Sequence, residues 1–66
     1  MALTTTERKG FLMAKGITPA QLARELTPPV SPALVRAVIR NEERSRRVRR
    51  LIARKLNRKV EDVFPK

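Results

Sequence analysis

Residues 18–39, TPAQLARELTPPVSPALVRAVI, contain two consecutive helix starts of the same kind. Thr18 precedes Pro19, and Gln21 follows the threonine three positions later. This is the pattern of a capping box with proline at the first helical position. Ser31 and Pro32 repeat the order of cap and proline further along the chain. The pattern predicts one helix over residues 19–26 and a second from 32 to about 41.

The connection between these two helices is rich in proline. Pro28 and Pro29 end the first helix, because proline lacks an amide donor and disfavours the helical conformation at the preceding residue, Thr27. Consecutive elements joined by a short connection are usually neighbours in space. We therefore expect the two helices to pack against each other.

Further helices are predicted on both sides of this pair. A helix over residues 7–15 would be capped by Thr5 or Thr6 and ended by Gly16 in the left-handed conformation. Another would follow the cap Ser45 and run to about residue 56, with Asn57 left-handed at its end. One more turn is expected over residues 60–64. No segment alternates between apolar and polar residues, so no sheet is expected.

The predicted fold class is all-α, a compact bundle of four to five short helices that includes a helix-turn-helix. The apolar residues recur at helical spacing, and their inward faces define the expected core. These core candidates are Phe11, Leu12, Ile17, Leu22, Ala23, Leu26, Leu34, Val35, Val38, Ile39, Val48, Leu51, Ile52, Leu56, Val60, Val63 and Phe64. One domain is expected over residues 1–66, with about residues 1–5 as a flexible N-terminus.

The composition excludes several classes of function. The chain has 66 residues and no Cys or His, so thiol nucleophiles, zinc–cysteine sites and histidine bases are excluded. We expect no enzyme, no cofactor, no metal and no small-molecule substrate. The apolar runs are too short to span a bilayer and no signal peptide is recognisable, so a cytoplasmic, nucleoid-associated protein is expected.

Positive charge is concentrated in the second half of the chain. Of the 16 basic residues, 11 lie within residues 36–59, where only Glu42 and Glu43 are acidic. Nearly all of the 11 are arginines, whose forked guanidinium suits phosphate and guanine edges. Like charges at helical spacing, as in Arg46–Arg50, weaken an isolated helix. The net charge of +10 therefore favours a polyanionic partner, with double-stranded DNA first.

The stretches 18–26 and 30–39 resemble the lambda-repressor-like helix-turn-helix superfamily, the Cro/repressor class of bacterial and phage regulators. Ala23 matches the small residue between the two helices of that motif, and Val35 matches the apolar anchor of the recognition helix. Residues 44–53 and 60–65 resemble the following helix and closing turn, and the small phage Ner-like regulators look nearest. The chain departs from the family at Thr27-Pro28-Pro29, which replaces a glycine turn and adds about two residues.

The resemblance implies a transcriptional regulator of phage or prophage type, and a repressor in particular. It assigns base reading to the N-terminus and outward face of the third helix, namely Ser31, Ala33, Arg36, Ala37 and Arg40. It assigns phosphate contacts to the start of the second helix and to the basic segment after the third, namely Gln21, Arg44, Ser45, Arg46, Arg47 and Arg50. Members of the class commonly dimerise, so a homodimer or monomers paired on DNA are both open.

Other functions stay open on the sequence. An arginine-rich helix within residues 44–59 could grip structured RNA, although Phe11 and Phe64 are the only aromatic residues and are expected in the core. A basic adaptor, an antitoxin or a recombination accessory protein could share this fold. A membrane-surface helix is disfavoured, because the apolar side of that helix is needed for the core.

Overall fold

Five helices follow one another in residues 2–65, the part of the chain that the computed structural model describes. They are α1 (Thr5–Ala14), α2 (Pro19–Glu25), α3 (Pro32–Ile39), α4 (Arg46–Lys55) and α5 (Val60–Val63). Within residues 2–65 there is no strand, so the predicted all-α bundle is confirmed. Helix α3 packs against α1, α2 and α4, and α4 also packs against α2 and α5.

A hydroxyl side chain caps the start of each of the first four helices. Ser31 and Ser45 each accept a hydrogen bond from the amide three residues on, and Thr18 forms the predicted capping box with Gln21. Helix α1 begins earlier than predicted. Its cap is Thr4 rather than Thr5 or Thr6: the Thr4 hydroxyl accepts from the Glu7 amide at 3.1 Å, and the Thr4 amide donates to the Glu7 carboxylate at 2.8 Å.

Three helices end on residues in the left-handed conformation. Gly16 after α1 and Asn57 after α4 have φ angles of 69° and 56°, as predicted. Asn41 after α3 has φ 62°, and the Glu42 amide reaches back to the carbonyl of Ala37 at 2.8 Å. This pattern satisfies the last carbonyl groups of a helix. It ends α3 at Ile39, two residues before the predicted boundary at 41.

The core is formed by apolar residues from all five helices and the segments beside them. Its buried members are Leu12, Leu22, Ala23, Val35, Val38, Ile39, Val48, Leu51, Ile52, Ala53, Leu56, Val63 and Phe64. The prediction for Phe11 is wrong, since its side chain is 39% exposed. Leu12 takes the inward position on α1, and the Phe11 ring lies under the Arg58 guanidinium at 5.1 Å.

Arg8 is the one charged side chain in residues 2–65 that is buried, with 2% of its surface exposed. Its guanidinium donates to the carbonyl oxygens of Ile39 at 2.7 Å, Leu3 at 2.6 Å and Val63 at 2.9 Å. A further hydrogen bond reaches the Thr5 hydroxyl at 3.0 Å. Arg8 therefore connects α1 to the end of α3 and the end of α5.

The surroundings of Arg8 contain positive rather than negative charge. Its guanidinium lies 5.0 Å from the centre of the Phe64 ring, and that of Arg49 lies 4.9 Å from the same centre. Burial first, and Arg49 second, lower the pKa of Arg8 from its ordinary value. The charge is thus held by neutral carbonyl groups and an aromatic face, and the carbonyl groups depend on it in turn.

The ends of the described segment meet beside this arginine. The Leu3 amide donates to the carbonyl of Asp62 at 3.1 Å, and Thr4 caps α1. Flexibility is predicted over about residues 1–5, of which Leu3, Thr4 and Thr5 have defined hydrogen-bond partners; Met1 lies outside the described residues.

We expect Arg8→Lys to lower the free energy of unfolding by about 2–4 kcal/mol, because an ammonium group cannot reach all of these acceptors and leaves buried carbonyls unpaired. Urea unfolding followed by circular dichroism measures this change. The neighbouring exposed residue supplies the control, and Lys9→Ala should stay within about 0.5 kcal/mol of the parent. Equal effects of the two substitutions would refute the structural role of Arg8.

The two glycines are expected to respond to alanine with opposite signs. Gly10 is exposed inside α1, and an added Cβ would meet no atom within 4 Å, so Gly10→Ala should stabilise by about 0.5–1 kcal/mol. Gly16 has a positive φ, so Gly16→Ala should destabilise by about 1–2 kcal/mol. Thermal unfolding of both variants checks the pair, and a loss of stability in Gly10→Ala would contradict this description of α1.

Candidate nucleic-acid interface

Helix α3 divides into a buried side and an outward side. Val35, Val38 and Ile39 are buried in the core. The outward side presents two of the predicted base-reading groups, Arg36 and Arg40, which are exposed. The small residues Ala33 and Ala37 lie on the same side of the helix, the first exposed and the second half-buried. The structure thus brings small residues and long cationic donors together on one face, in the pattern predicted.

The N-terminus of α3 is open to solvent. Ser31 and Pro32 are both exposed, and the Ser31 hydroxyl accepts a hydrogen bond from the Leu34 amide at 3.2 Å. Ser31 therefore caps the helix. At the other end of α3, the Arg40 side chain donates to the Glu42 carboxylate at 3.0 Å. This surface ion pair is exposed and is weak in water, so it leaves the Arg40 guanidinium available to a stronger anion.

The connection between α2 and α3 is held from α4. The amide of Val30 donates to the Ala23 carbonyl at 3.2 Å, which closes the proline-containing segment back onto α2. The Thr27–Pro28 peptide bond is cis. The Arg47 guanidinium then donates to the Pro28 carbonyl at 2.7 Å. Arg47, predicted as a phosphate contact, thus also fixes the connection that leads into α3.

The start of α4 presents a cationic groove, which we call the α4 groove. Arg44, Arg46 and Arg50 line it together with Arg49 and Val60. The first three are the predicted phosphate contacts and are exposed. Ser45 is half-buried, and its hydroxyl accepts from the Val48 amide at 3.4 Å. The α4 groove therefore gathers guanidinium groups beside a helix N-terminus, an arrangement that favours anions.

Arg49 is a member of this groove that the sequence analysis did not assign to the site. Its Nη2 donates to the side-chain oxygen of Asn41 at 2.6 Å, and its guanidinium packs on Phe64. The Nε atom is buried and has no hydrogen-bond partner in the described structure. Arg49 is half-buried, unlike the exposed Arg46 and Arg50 of the same helix. Only the position of α5 against α4 could have indicated this.

Gln21 lies apart from both surfaces. It is exposed near Lys15, Arg24 and Glu25, and its side-chain oxygen accepts from the Thr18 amide at 2.9 Å. Its role as a cap is present in the structure, and its predicted phosphate contact stays a prediction. The α3 face, the α4 groove and the first residues of α4 therefore carry the rest of the predicted site between them.

The basic residues have few acidic partners. Two ion pairs occur within residues 2–65, Arg40 with Glu42 and Lys55 with Glu25, the latter at 2.6 Å between α4 and α2. Most of the charge within residues 36–59 is thus left uncompensated by the described part of the protein. No group of three His, Cys, Asp or Glu side chains in that part could hold a metal ion. None of the helices described is long and apolar enough to cross a membrane.

Comparison of the chain with models of protein families, with characterised proteins and with solved structures gives no match.

The contacts of Arg49 predict that replacing its side chain changes the free energy of unfolding only slightly. Arg49→Met loses the hydrogen bond to Asn41, worth about 1 kcal/mol, but relieves repulsion of the buried Arg8 and keeps an apolar stem over Phe64. We expect the free energy of unfolding to change by less than about 1 kcal/mol. Urea unfolding tests this, and a loss of several kcal/mol would make Arg49 a structural residue rather than a free donor for anions.

Proposed function

We propose that this protein is a sequence-specific double-stranded DNA-binding transcriptional regulator, with α2 and α3 as its helix-turn-helix. The observation that carries the proposal is the outward face of α3, where exposed Arg36 and Arg40 share one side with the small Ala33 and Ala37 on a helix whose other side is fixed in the core. An α-helix with its side chains is about 10–12 Å in diameter. It therefore fits a major groove about 12 Å wide.

Base reading is assigned to this face. Arg36 and Arg40 donate to guanine edges or to flanking phosphates, and Ala33 and Ala37 allow close approach or contact a thymine methyl group. Ser31 lies at the end of α3 that enters the groove. The small size of Ala33 and Ala37 beside the arginines supports this assignment, since bulky side chains there would hold the helix away from the bases.

Phosphate binding is assigned to the start of α4 and to the α4 groove. Arg44, Arg46, Arg47 and Arg50 supply the charge, Ser45 lies at the helix start, and Gln21 serves from α2. Phosphate contacts fix the register of a protein on DNA and supply most of its affinity. The uncompensated charge of residues 36–59 supports this role.

The connection between α2 and α3 differs from the glycine turn of the family that the sequence resembles. In this chain the hydrogen bond from Arg47 to the Pro28 carbonyl holds the connection, at 2.7 Å. The orientation of α3 is thereby linked to the first turn of α4, which binds phosphate in this proposal. The action as a repressor of phage or prophage type, and pairing of two copies on DNA, rest on the resemblance alone.

Structured RNA is a second candidate, and one observation favours it. Phe11 is 39% exposed and carries the Arg58 guanidinium over its ring, so an aromatic face accompanied by a cation is present on the surface. Bases of single strands and loops stack on such faces. Phe11→Ala should leave duplex DNA binding unchanged and weaken binding to an RNA hairpin if RNA is the ligand.

Selection of bound sequences from a random duplex library, at low and at higher salt, tests the DNA proposal directly. We expect a recovered motif, and an inverted repeat with half-sites about 10 base pairs apart if two copies pair. With about five to seven phosphates neutralised, log K should fall against log salt with a slope of roughly −4.5 to −6. Enrichment of no sequence, with binding lost at higher salt, would reduce the protein to a general polyanion binder.

Two arginine substitutions separate base reading from phosphate binding. Arg36→Ala should relax the base preference and cost roughly 1–3 kcal/mol on the selected site only, because a base contact is lost. Arg50→Ala, the matched loss of one exposed arginine, should weaken selected and random duplexes alike. Fluorescence anisotropy with both duplexes measures this, and an equal loss on both duplexes for Arg36→Ala would overturn its assignment.

A further inference from the structure

A second surface lies next to the outward face of α3, on the side of α1. We call it the α1–α3 groove. Its floor is apolar and is formed by Leu12, Ile17, Pro19 and Ile39, of which Leu12 and Ile39 belong to the buried core. The groove encloses about 250 Å³ and is open to solvent along one side. It is the most apolar of the depressions found on the described surface.

The rim of this groove is cationic. Lys9 borders it from α1, and Arg36 and Arg40 border it from α3. All three are exposed, and no acidic side chain of residues 2–65 lines the groove. Neither Lys9 nor Arg36 takes part in an ion pair in that part of the chain. An apolar floor with three cations around it calls for a ligand that combines apolar groups with several negative charges.

Met13 stands at the same rim and is 77% exposed, the largest exposure recorded for a large apolar side chain in residues 2–65. It makes no contribution to the core, so the fold does not explain why it is apolar. Methionine is flexible and polarisable, and it is common on surfaces that accept varied apolar side chains. Its position extends the apolar floor towards solvent.

We propose that the α1–α3 groove binds an acidic segment of a partner protein that inserts an apolar side chain between α1 and α3. A second copy of this chain is disfavoured as the occupant by its net charge of +10, which would bring cations against a cationic rim. A small molecule fits less well, because small-molecule sites enclose about 70–90% of the ligand surface and this groove is open. The spread of the cations over two helices matches carboxylates spaced along a peptide.

The proposed segment would compete with DNA. Arg36 and Arg40 border the groove and also carry the base-reading face, so a bound carboxylate would occupy their donors. The groove itself is independent of the proposed function, and only this competition rests on it. The acidic segment would then act as a release signal for the regulator.

The test uses the intact protein and a displayed library of peptides about twelve residues long, built from Asp, Glu, Ser, Leu, Phe and Met. We expect enriched peptides to contain both acidic and apolar residues. One enriched peptide is then synthesised together with a counterpart of equal charge whose apolar residues are replaced by serine. Enrichment for acidic residues alone, or equal binding of the two synthetic peptides, would overturn the proposal and leave general attraction to a basic protein.

The location of binding is mapped by amide chemical shifts and by exposed-residue variants. We expect shifts at Lys9, Met13, Ile17 and Arg36, and an affinity loss of about fivefold or more for Met13→Gln and for Lys9→Gln. Arg54→Gln removes an exposed cation outside the groove and should change the affinity less than about twofold. Shifts confined to residues 44–50, or equal losses in all three variants, would contradict the groove as the site.

Failure of this proposal and failure of the DNA proposal are distinguishable. Met13→Gln alters no residue assigned to DNA, so duplex affinity should stay unchanged while peptide affinity falls. If the peptide binds the groove and the library selection recovers no duplex, the groove stands and the DNA assignment fails. If both ligands bind, the peptide should lower the affinity for the selected duplex towards that for a random duplex, and an unchanged preference for the selected duplex would refute the competition.

Discussion

The fold depends on a single buried cation. Arg8 leaves water without a carboxylate partner, so it requires backbone carbonyls arranged around its guanidinium. Those carbonyls come from the N-terminal segment, the end of α3 and the end of α5, which lie far apart in the sequence. One side chain in α1 therefore brings together three places where helices start or stop. In a chain of 66 residues, whose apolar core is small, such a polar junction specifies which helix ends meet.

The helices themselves could be predicted because their ends are encoded locally. Hydroxyl caps, proline at the first helical position and left-handed residues act within a few positions, and they fixed α2, α3 and α4 to within two residues. Arg8 could not be found in this way. Its position in the sequence does not distinguish Arg8 from the other basic residues. The carbonyl groups that bind its guanidinium in the interior belong mostly to residues far away in the sequence. The prediction that Phe11 is buried is wrong for a related reason. Adjacent apolar residues compete for one inward position on α1, and Leu12 occupies it.

In the candidate site, too, local features could be predicted from the sequence and contacts between distant segments could not. The outward stripe of α3 follows from helical periodicity, because a helix with Val35, Val38 and Ile39 in the core must turn Ala33, Arg36 and Arg40 towards solvent. The contacts of Arg47 with Pro28 and of Arg49 with Asn41 and Phe64 depend on how α4 crosses the other helices. Sequence spacing carries no information on those crossings. The arginines of α4 are thus equivalent in sequence and different in structure, since Arg47 and Arg49 donate hydrogen bonds to other segments and, of the five, Arg49 alone is half-buried.

The distribution of charge links the two proposed ligands. A net charge of +10 in so small a domain weakens the folded state through repulsion, and the described acids pair with only two of the basic residues. Any polyanion that binds the folded form therefore also stabilises it.

DNA in the α4 groove would neutralise the arginines there without touching Lys9 or Met13. An acidic segment in the α1–α3 groove would neutralise Lys9 and Arg36 and would leave the α4 groove free. Because the two ligands share Arg36 and Arg40 alone, competition between them would act on sequence choice more than on general attraction to DNA. As the acidic segment binds, such a protein would lose its preference for one DNA sequence before it loses its phosphate contacts.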